Sequence, residues 1–257
     1  MRLALFVATP TVCAVRVVGL VMVRNEEDVV DHVVRHMLAQ VDQVIVADNL
    51  STDRTRSILD NIDSTKLVIV DDLDPAYRQA EKMTALAEDW AEPGDWLVPF
   101  DADELWCMSN GMPLGEGLRS LSNDAVSGKS WVHVPQNSDV KIECPFSTMP
   151  WRVSTPEAWP KAAFRWKVAT DHIEQGNHWM KGPLMDAIDI RHFQYRSYEH
   201  LVAKVTVGAA ALAAANLPGN SGEHWRRLSS MPDTELESWW DDYTRQKLEW
   251  DPPKCLA

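Results

Sequence analysis

The alternation of apolar strand-like runs with helix-like segments constrains the fold of this 257-residue chain more than any other feature. Residues Val17–Val23 form a run dominated by valine, which is typical of a strand buried on both faces of a sheet. Similar runs follow at 41–47, 67–70 and 96–100. Helical patterns separate these four strands, so we expect right-handed βαβ crossovers and a parallel sheet covered by helices on both faces.

Apolar residues at helical spacing predict the first covering helix. They are Val29, Val30, Val33, Val34, Met37 and Leu38. Asn25 is a candidate N-cap for this helix, and the acids after it suit the positive end of a helix dipole. Two further helices are expected, one ending near residue 62 and one over 75–90.

The second half of the chain has a mixed pattern. Strands are predicted at 125–135, 140–146, 162–168 and 185–195, and helices at 113–121, 197–216 and 233–250. The chain shows no internal repeat and no low-complexity linker, which favours one domain. We therefore expect an N-terminal extension over 1–16, a main domain over 17–228, and a C-terminal helix and tail over 229–257 packed on it.

Polar clusters follow three of the predicted parallel strands, at 24–26, 48–51 and 101–104. The carboxyl ends of parallel strands meet at one edge of the sheet, and ligands in such folds bind beyond that edge. No glycine-rich phosphate loop follows the first strand, which excludes a Rossmann dinucleotide site and a P-loop. The three clusters predict a nucleotide-sized site built without a glycine cradle.

The densest of these clusters is Asp101-Ala102-Asp103-Glu104, directly after an apolar strand. Carboxylates this close repel one another unless a proton, a basic side chain or a hard cation neutralises them. Mg²⁺ and Mn²⁺ prefer oxygen ligands and often share them with substrate phosphates. A solvated acidic loop is the plainer alternative, but a diphosphate bound without a glycine cradle needs positive charge, which favours a metal.

Composition excludes several other classes of protein. The net charge of −13 argues against non-specific binding to nucleic acid or to an anionic membrane. No segment reaches the ~18 apolar residues of a membrane span. The four cysteines lie far apart, which argues against a zinc ribbon or a dense disulfide framework and favours the reducing cytoplasm. The first 16 residues are interpreted as a loose extension rather than an export signal.

Five ordered motifs resemble the family 2 glycosyltransferases of the GT-A fold. The first three are Val-Arg-Asn-Glu-Glu at 23–27, the Asp-Asn-x-Ser-x-Asp-x-Thr motif at 48–55, and Trp-x₄-Asp-Ala-Asp-Glu at 96–104. The other two resemble a bacterial and phage branch, with Gly-Asn-His at 176–178 and Ile-Arg-His-Phe-Gln-Tyr-Arg-Ser at 190–197, continued by Lys204 and by 222–226. The resemblance covers roughly 17–228 and implies a GT-A-like, Rossmann-like α/β fold with a mostly parallel sheet flanked by helices and a mixed C-terminal half.

The resemblance also implies a nucleoside-diphosphate sugar as donor, such as a UDP- or GDP-sugar. The residues expected to bind it are Arg24, Asn25, Glu26, Asp48, Asn49, Arg78, Asp101, Arg196 and Lys204. A Mn²⁺ or Mg²⁺ ion is expected on Asp101, Asp103 and His192, with Asp103 as the surest direct ligand. Read from the pattern alone, His192 also suits a hydrogen-bonded core histidine.

The expected activity is metal-dependent transfer of a sugar, of the hexosyltransferase type, to a glycan, lipid or protein acceptor. An inverting enzyme needs a base to deprotonate the acceptor hydroxyl. The candidates are Asp171, Glu174 and His178, and the Glu-Asp pair of many inverting members is absent here. His178 ranks first because it lies in a recognisable motif, and Asp171 ranks second. The alternatives are a nucleotidyltransferase and an inactive sugar-nucleotide-binding protein of the same fold; a glycoside hydrolase fits less well.

Overall fold

The computed structural model describes residues 15–136, 148–167, 171–179, 181–216 and 222–251. The strand expected at 140–146, most of the extension expected at 1–16, and the tail after 251 lie outside the described residues.

Ten strands form in the described chain. They are β1 (Val17–Val23), β2 (Gln43–Asp48), β3 (Leu67–Asp71), β4 (Trp96–Pro99), β5 (Glu104–Met108), β6 (Ala125–Val132), β7 (Trp151–Val153), β8 (Lys161–Arg165), β9 (Asp186–His192) and β10 (Leu248–Trp250). Eight of them make one sheet in the order β3-β2-β1-β4-β8-β6-β9-β5, and β7 pairs separately with β10. In the large sheet only β8 and β5 run opposite to the other six strands, so the expected mostly parallel sheet is confirmed.

Helices cover both faces of the sheet, as expected for a GT-A-like fold. They are α1 (Val30–Gln40), α2 (Thr55–Asp60), α3 (Gln79–Trp90), α4 (Leu114–Ser120), α5 (Tyr198–Ala215), α6 (Glu223–Ser229) and α7 (Asp233–Arg245). Apolar residues of α1, α2 and α4 share one buried cluster, and those of α3 share another. Alternate residues of β1 enter the two clusters, Val21 the first and Leu20 the second, because successive side chains of a strand point to opposite faces.

The C-terminal helices enclose a third apolar cluster, which contains Leu201, Val205, Leu228, Leu236 and Trp240. Helix α7 therefore packs on α5 and α6. The domain boundaries at 16/17 and 228/229 stay a prediction.

The chain after β1 differs from the prediction. Helix α1 begins at Val30, and Asn25 is not its N-cap. Asn25 instead has a positive φ of 56°, and its side-chain oxygen accepts a hydrogen bond from the backbone N–H of Thr52 at 2.7 Å. Asn is one of the few residues that adopt this conformation readily. The segment before Val30 is thus a loop fixed to the polar loop after β2.

Other element boundaries also differ. The helix expected over 233–250 ends at Arg245, and β10 follows it because Leu248–Trp250 pairs with β7. Strand β5, which follows the acidic cluster at once, was not predicted. The start of α5 is as expected: the Ser197 hydroxyl oxygen accepts a hydrogen bond from the backbone N–H of His200 at 3.1 Å.

Two observations concern the environment of the protein. Among the helices that the structure describes, none is both long enough and apolar enough to cross a bilayer. Cys107, the one cysteine among the described residues, is disulfide-bonded. The cytoplasmic location stays a prediction.

Helix α4 offers a test of the packing. A Cβ added to Gly115 would overlap the backbone carbonyl of Gln40, at the end of α1. Alanine favours a helix over glycine by ~1 kcal/mol, but overpacking against backbone costs ~1–3 kcal/mol. We expect Gly115→Ala to lower the free energy of unfolding by up to about 2 kcal/mol in urea titrations, the overpacking cost less the helix gain. The control, Glu116→Ala on the exposed side of the same helix, should stay within about 0.5 kcal/mol of the wild type. A stabilised Gly115→Ala protein would contradict this packing.

Candidate functional site

At the edge of the sheet where the acidic cluster lies, some strands end and others begin. Strands β1, β2, β4, β6 and β9 end at this edge, whereas the antiparallel strands β5 and β8 begin there. Glu104, the first residue of β5, pairs with His192, the last residue of β9. Lys161 is the first residue of β8. Side chains far apart in the sequence therefore come together beside Asp101 and Asp103.

A cavity of about 280 Å³ opens at this edge. Its polar wall includes Asp101, Asp103, Glu157, Lys161, His192 and Lys204. Its apolar wall includes Tyr77, Ala203, Val207, Gly208, Ala211 and Trp225. Charged groups beside an aromatic and aliphatic surface suit a small ligand that carries both a charged group and a ring.

Asp103 is a buried carboxylate surrounded by positive charge. The ammonium of Lys204 lies 2.5 Å from its Oδ2, His192 Nε2 lies 3.5 Å from its Oδ1, and the guanidinium of Arg196 is 4.0 Å away. Burial opposes ionisation, but Lys204 and His192 outweigh it and hold the pKa of Asp103 well below its ordinary value. Asp103 is therefore ionised at neutral pH.

Asp101 is held on both carboxylate oxygens. Its Oδ1 accepts hydrogen bonds from Asn177 Nδ2 at 2.7 Å and from Gln79 Nε2 at 3.1 Å, and its Oδ2 pairs with Lys161. The ammonium of Lys161 also lies 2.7 Å from Glu104. Burial disfavours this ammonium, yet the two carboxylates raise the pKa of Lys161. Asp101 therefore joins three segments of the chain, at Gln79, Lys161 and Asn177.

Glu104 fixes the turn that carries the acidic cluster. Its Oε2 accepts hydrogen bonds from the backbone N–H of Asp101 at 3.0 Å and from the indole of Trp106 at 3.0 Å. Burial raises the pKa of Glu104, and Lys161 opposes that rise. Glu104 is fully buried, so it orients the loop rather than facing a ligand.

His192 is paired on both ring nitrogens. Its Nδ1 lies 3.0 Å from Glu157, and Glu157 also accepts a hydrogen bond from the Ser130 hydroxyl. Burial disfavours the imidazolium, but Glu157 and Asp103 outweigh it and raise the pKa of His192 well above its ordinary value. Burial likewise opposes ionisation of Glu157, yet His192 lowers the pKa of Glu157 to about 2. His192 is thus buried and hydrogen-bonded, as the plainer alternative also expects, and its role as a metal ligand stays a prediction.

The side chains that fit a divalent cation are Asp103 and His192. A metal binds only the neutral imidazole, so His192 would first have to lose the proton that faces Asp103. Its far ring nitrogen is held by a carboxylate, Glu157, as is usual for a metal-binding histidine. Mg²⁺ and Mn²⁺ commonly take one or two protein ligands and complete their shell with phosphate and water oxygens. Within the described segments no three His, Cys, Asp or Glu side chains form a preformed metal cluster. Asp101, which is held by two amides and by Lys161, contributes charge beside this pair; its role as a ligand and the metal itself stay predictions.

Arg196 lies behind the site. Its guanidinium binds Asp28 through two hydrogen bonds of 2.6 and 2.7 Å and Glu26 at 2.6 Å, and its side chain is 1% exposed. Burial opposes the charge, but Glu26 and Asp28 raise the pKa of Arg196. Arg196 does not line the cavity. It ties the end of β9 to the loop after β1.

The first two polar loops lie as the sequence predicted, with one exception. Arg24, Asn25, Glu26 and Asn49 line the cavity. Arg24 donates a hydrogen bond to the side-chain oxygen of Asn49 at 3.3 Å. Asp48 is buried outside the cavity wall and accepts a hydrogen bond from the backbone N–H of Ser51 at 3.1 Å.

The two candidate bases lie in different places. His178 lines the cavity, and burial together with Lys161 lowers the pKa of His178, so the ring is neutral at pH 7. Asp171 lies outside the cavity wall, where it accepts a hydrogen bond from the backbone N–H of Lys167 at 2.9 Å. Arg78, expected in the site, is also outside and pairs with Asp74 at 2.9 Å on the surface.

Sequence reasoning missed several residues of the site. They are Tyr77, Gln79, Glu157 and Lys161, whereas Trp225, which also lines the cavity, belongs to the 222–226 motif. A lysine at the head of the apolar run 161–165 was the available signal for Lys161, because a lysine is seldom buried without a partner. Glu157 lies in a stretch of the sequence with no periodic pattern, and nothing there distinguishes it.

The family resemblance is confirmed for the N-terminal part of the chain. The sequence model of Glycosyl transferase family 2 matches residues 20–109, which include the three polar loops at the end of β1, β2 and β4. No curated protein matches the chain. The family match and the topology together support a nucleotide-sugar-utilising enzyme of the GT-A type.

Several solved structures are remotely similar. One is 4-diphosphocytidyl-2C-methyl-D-erythritol synthase from Anaerococcus prevotii DSM 20548, at 14% identity and a TM-score of 0.34, covering 59% of this chain and 70% of that chain. Another structure of an enzyme of that name has 13% identity and a TM-score of 0.33, covering 84% and 86%. The inositol-1-phosphate CTP transferase from T. maritima has 12% identity and a TM-score of 0.39, covering 77% and 96%.

The burial of Arg196 leads to a stability prediction. Arg196→Met leaves Glu26 and Asp28 without their main counter-charge, and breaking a buried pair of this kind costs ~3–5 kcal/mol. We expect a loss of about that size in the free energy of unfolding, measured by urea titration. The control is Arg35→Met, because Arg35 is 54% exposed and pairs with Asp31 on the surface of α1. That change should cost less than about 1 kcal/mol. Equal losses in the two variants would contradict the role given to Arg196.

Proposed function

We propose that this protein is a glycosyltransferase that moves a sugar from a nucleoside-diphosphate donor, such as a UDP- or GDP-sugar, to a hydroxyl of a glycan, lipid or protein acceptor. The observation that carries the proposal is the arrangement of Asp103, His192 and Lys204 in a cavity at the carboxyl edge of a GT-A-type sheet. The match to family 2 over residues 20–109 supports it.

Departure of a nucleoside diphosphate builds negative charge on its phosphates, so the site must supply positive charge next to them. Lys204 lines the cavity and supplies an ammonium there, and Arg196 adds charge from behind it. A Mn²⁺ or Mg²⁺ ion on Asp103 and His192 would act as a Lewis acid toward the diphosphate when bound. Glu157 keeps His192 oriented, and the Glu104 turn keeps Asp103 in place.

The acceptor hydroxyl needs a base in the same cavity. His178 suits this role, because it lines the cavity and its lowered pKa leaves the ring free to take up a proton at neutral pH. Glu157 also lines the cavity, but a pKa of about 2 makes it a poor proton acceptor. The neutral His178 is therefore the base of the proposed mechanism.

A nucleotidyltransferase is the alternative that uses similar chemistry, since it also places a nucleotide phosphate beside a metal. It would consume a nucleoside triphosphate and release pyrophosphate. Pyrophosphate release from CTP or UTP in the presence of sugar phosphates, without any response to nucleoside-diphosphate sugars, would favour this alternative over the proposal.

The donor site is tested by thermal shift with UDP, GDP and TDP, with and without Mn²⁺. A nucleotide present at 100 times its Kd adds ~2.7 kcal/mol to the free energy of unfolding, which for a chain of this size raises Tm by about 5 °C or more. We expect such a shift for at least one nucleotide and a larger shift with Mn²⁺.

The matched variant is Asp103→Asn, which should weaken the Mn²⁺-dependent part of nucleotide binding by at least about 10-fold, because loss of an outer-shell partner alone costs about that much. Its control is Asp60→Asn, because Asp60 pairs with Arg56 on the exposed side of α2. Circular dichroism checks that both variants keep the fold. A wild-type protein that no nucleotide stabilises would refute the donor site, and metal-dependent binding retained in Asp103→Asn would place the ion elsewhere.

The base is tested with the donor that gives the largest thermal shift. His178→Gln should reduce donor turnover, measured as release of the nucleoside diphosphate with a panel of sugar acceptors, by about 10²- to 10⁴-fold. Nucleotide affinity should stay near that of the wild type. Asp171→Asn is the control and should keep wild-type turnover, because Asp171 lies outside the cavity. Loss of turnover in Asp171→Asn but not in His178→Gln would reverse the assignment.

A further inference from the structure

Lys204 occupies an unusual place in the site. It extends from α5, and its ammonium lies between two carboxylates of the N-terminal half, 2.5 Å from Asp103 Oδ2 and 3.1 Å from Glu26 Oε1. The ammonium of Lys204 thus contacts Asp103, the carboxylate that best fits a divalent cation.

The ammonium of Lys204 and a divalent cation compete for Asp103. Asp103 already has Lys204, His192 and Arg196 around it. A further positive charge at the same carboxylate gains little from it while Lys204 stays in contact, because like charges in a buried site repel strongly. A cation therefore binds well only after the ammonium has moved or found another partner.

Lys204 is the side chain here that is suited to move. Its side chain is 17% exposed, compared with 3% for Lys161 and 1% for Arg196. Arg196 is fixed by its two-point contact with Asp28, and Lys161 lies within reach of both Asp101 and Glu104. A lysine has a flexible four-carbon stem and a compact charge, so it can exchange one anionic partner for another in the same cavity.

We propose that Lys204 is a built-in counter-ion that occupies Asp103 in the free protein and transfers to the donor diphosphate, which opens Asp103 to the divalent cation. Cation and nucleotide then bind together, each weakly alone and tightly with the other. This inference rests on the proposed function in taking the ligand to be a nucleoside diphosphate. Its part about Lys204 and the cation is testable without any nucleotide.

The test measures Mn²⁺ binding in the presence and in the absence of UDP or GDP. The electron paramagnetic resonance signal of free Mn²⁺ is the readout. The wild type should bind Mn²⁺ weakly alone and at least about 10-fold more tightly with the nucleotide, within the usual range of coupling between sites. Lys204→Met should bind Mn²⁺ alone about 10-fold more tightly than the wild type, and its gain from nucleotide should shrink to about 3-fold or less.

Two controls accompany this variant. Lys82→Met removes a lysine of similar exposure, which pairs with Asp72 at 2.7 Å outside the cavity, and it should leave both Mn²⁺ affinities at the wild-type values. Lys204→Arg keeps a positive charge against Asp103 and should keep Mn²⁺ binding weak in the absence of nucleotide.

Three results would overturn the inference. They are unchanged Mn²⁺ affinity in Lys204→Met, equally tight Mn²⁺ binding in Lys82→Met, and a wild-type Mn²⁺ affinity that nucleotide does not improve. The effect of nucleotide on Mn²⁺ affinity is measured on the wild type, so this result tests the inference even if Lys204→Met does not fold. Failure of every nucleotide to bind would refute the proposed function, whereas the comparison of Mn²⁺ alone between wild type and Lys204→Met would still judge the role of Lys204.

Discussion

The buried contact between Arg196 and the acidic loop after β1 is the interaction on which the site depends. Arg196 follows β9, in the mixed half of the chain, whereas Glu26 and Asp28 belong to the parallel half. A guanidinium that is 1% exposed has no solvent to replace these partners. It therefore holds the end of β9 against the loop after β1. Lys204 then lies near enough to reach both Glu26 and Asp103.

Asp101 and Asp103 have distinct environments although they are two residues apart. Asp101 accepts hydrogen bonds from two amides and pairs with a lysine that is almost fully buried. Asp103 meets groups that carry charge and are able to exchange partners, a histidine and a partly exposed lysine. The first arrangement is rigid and joins segments, whereas the second suits a ligand that arrives and leaves. An Asp-x-Asp motif read from sequence alone does not reveal this division.

The sequence predicted most of the parallel half, because its strands are long valine-rich runs and its polar loops follow them directly. Asp103, His192 and Lys204 were found through the motifs that flank them. Lys161 and Glu157 were not, since they meet the cluster only through the antiparallel strand β8 and the irregular chain before it. The N-cap expected at Asn25 failed for a related reason: contacts with the loop after β2 outweigh the local preference of Asn.

The strongly acidic composition is compatible with an anionic ligand because the field at a site depends on local charges. Lys161 and Lys204 are both held among carboxylates, and the carboxylates keep them protonated despite burial. Neither lysine is a free positive charge before a ligand arrives. A diphosphate that takes Lys204 from Asp103 leaves a buried carboxylate without its nearest partner, and that is the condition under which Asp103 gains most from a divalent cation. The acidic cluster and Lys204 together therefore favour a ligand that consists of a diphosphate with its divalent cation. They favour it over the diphosphate alone and over the cation alone.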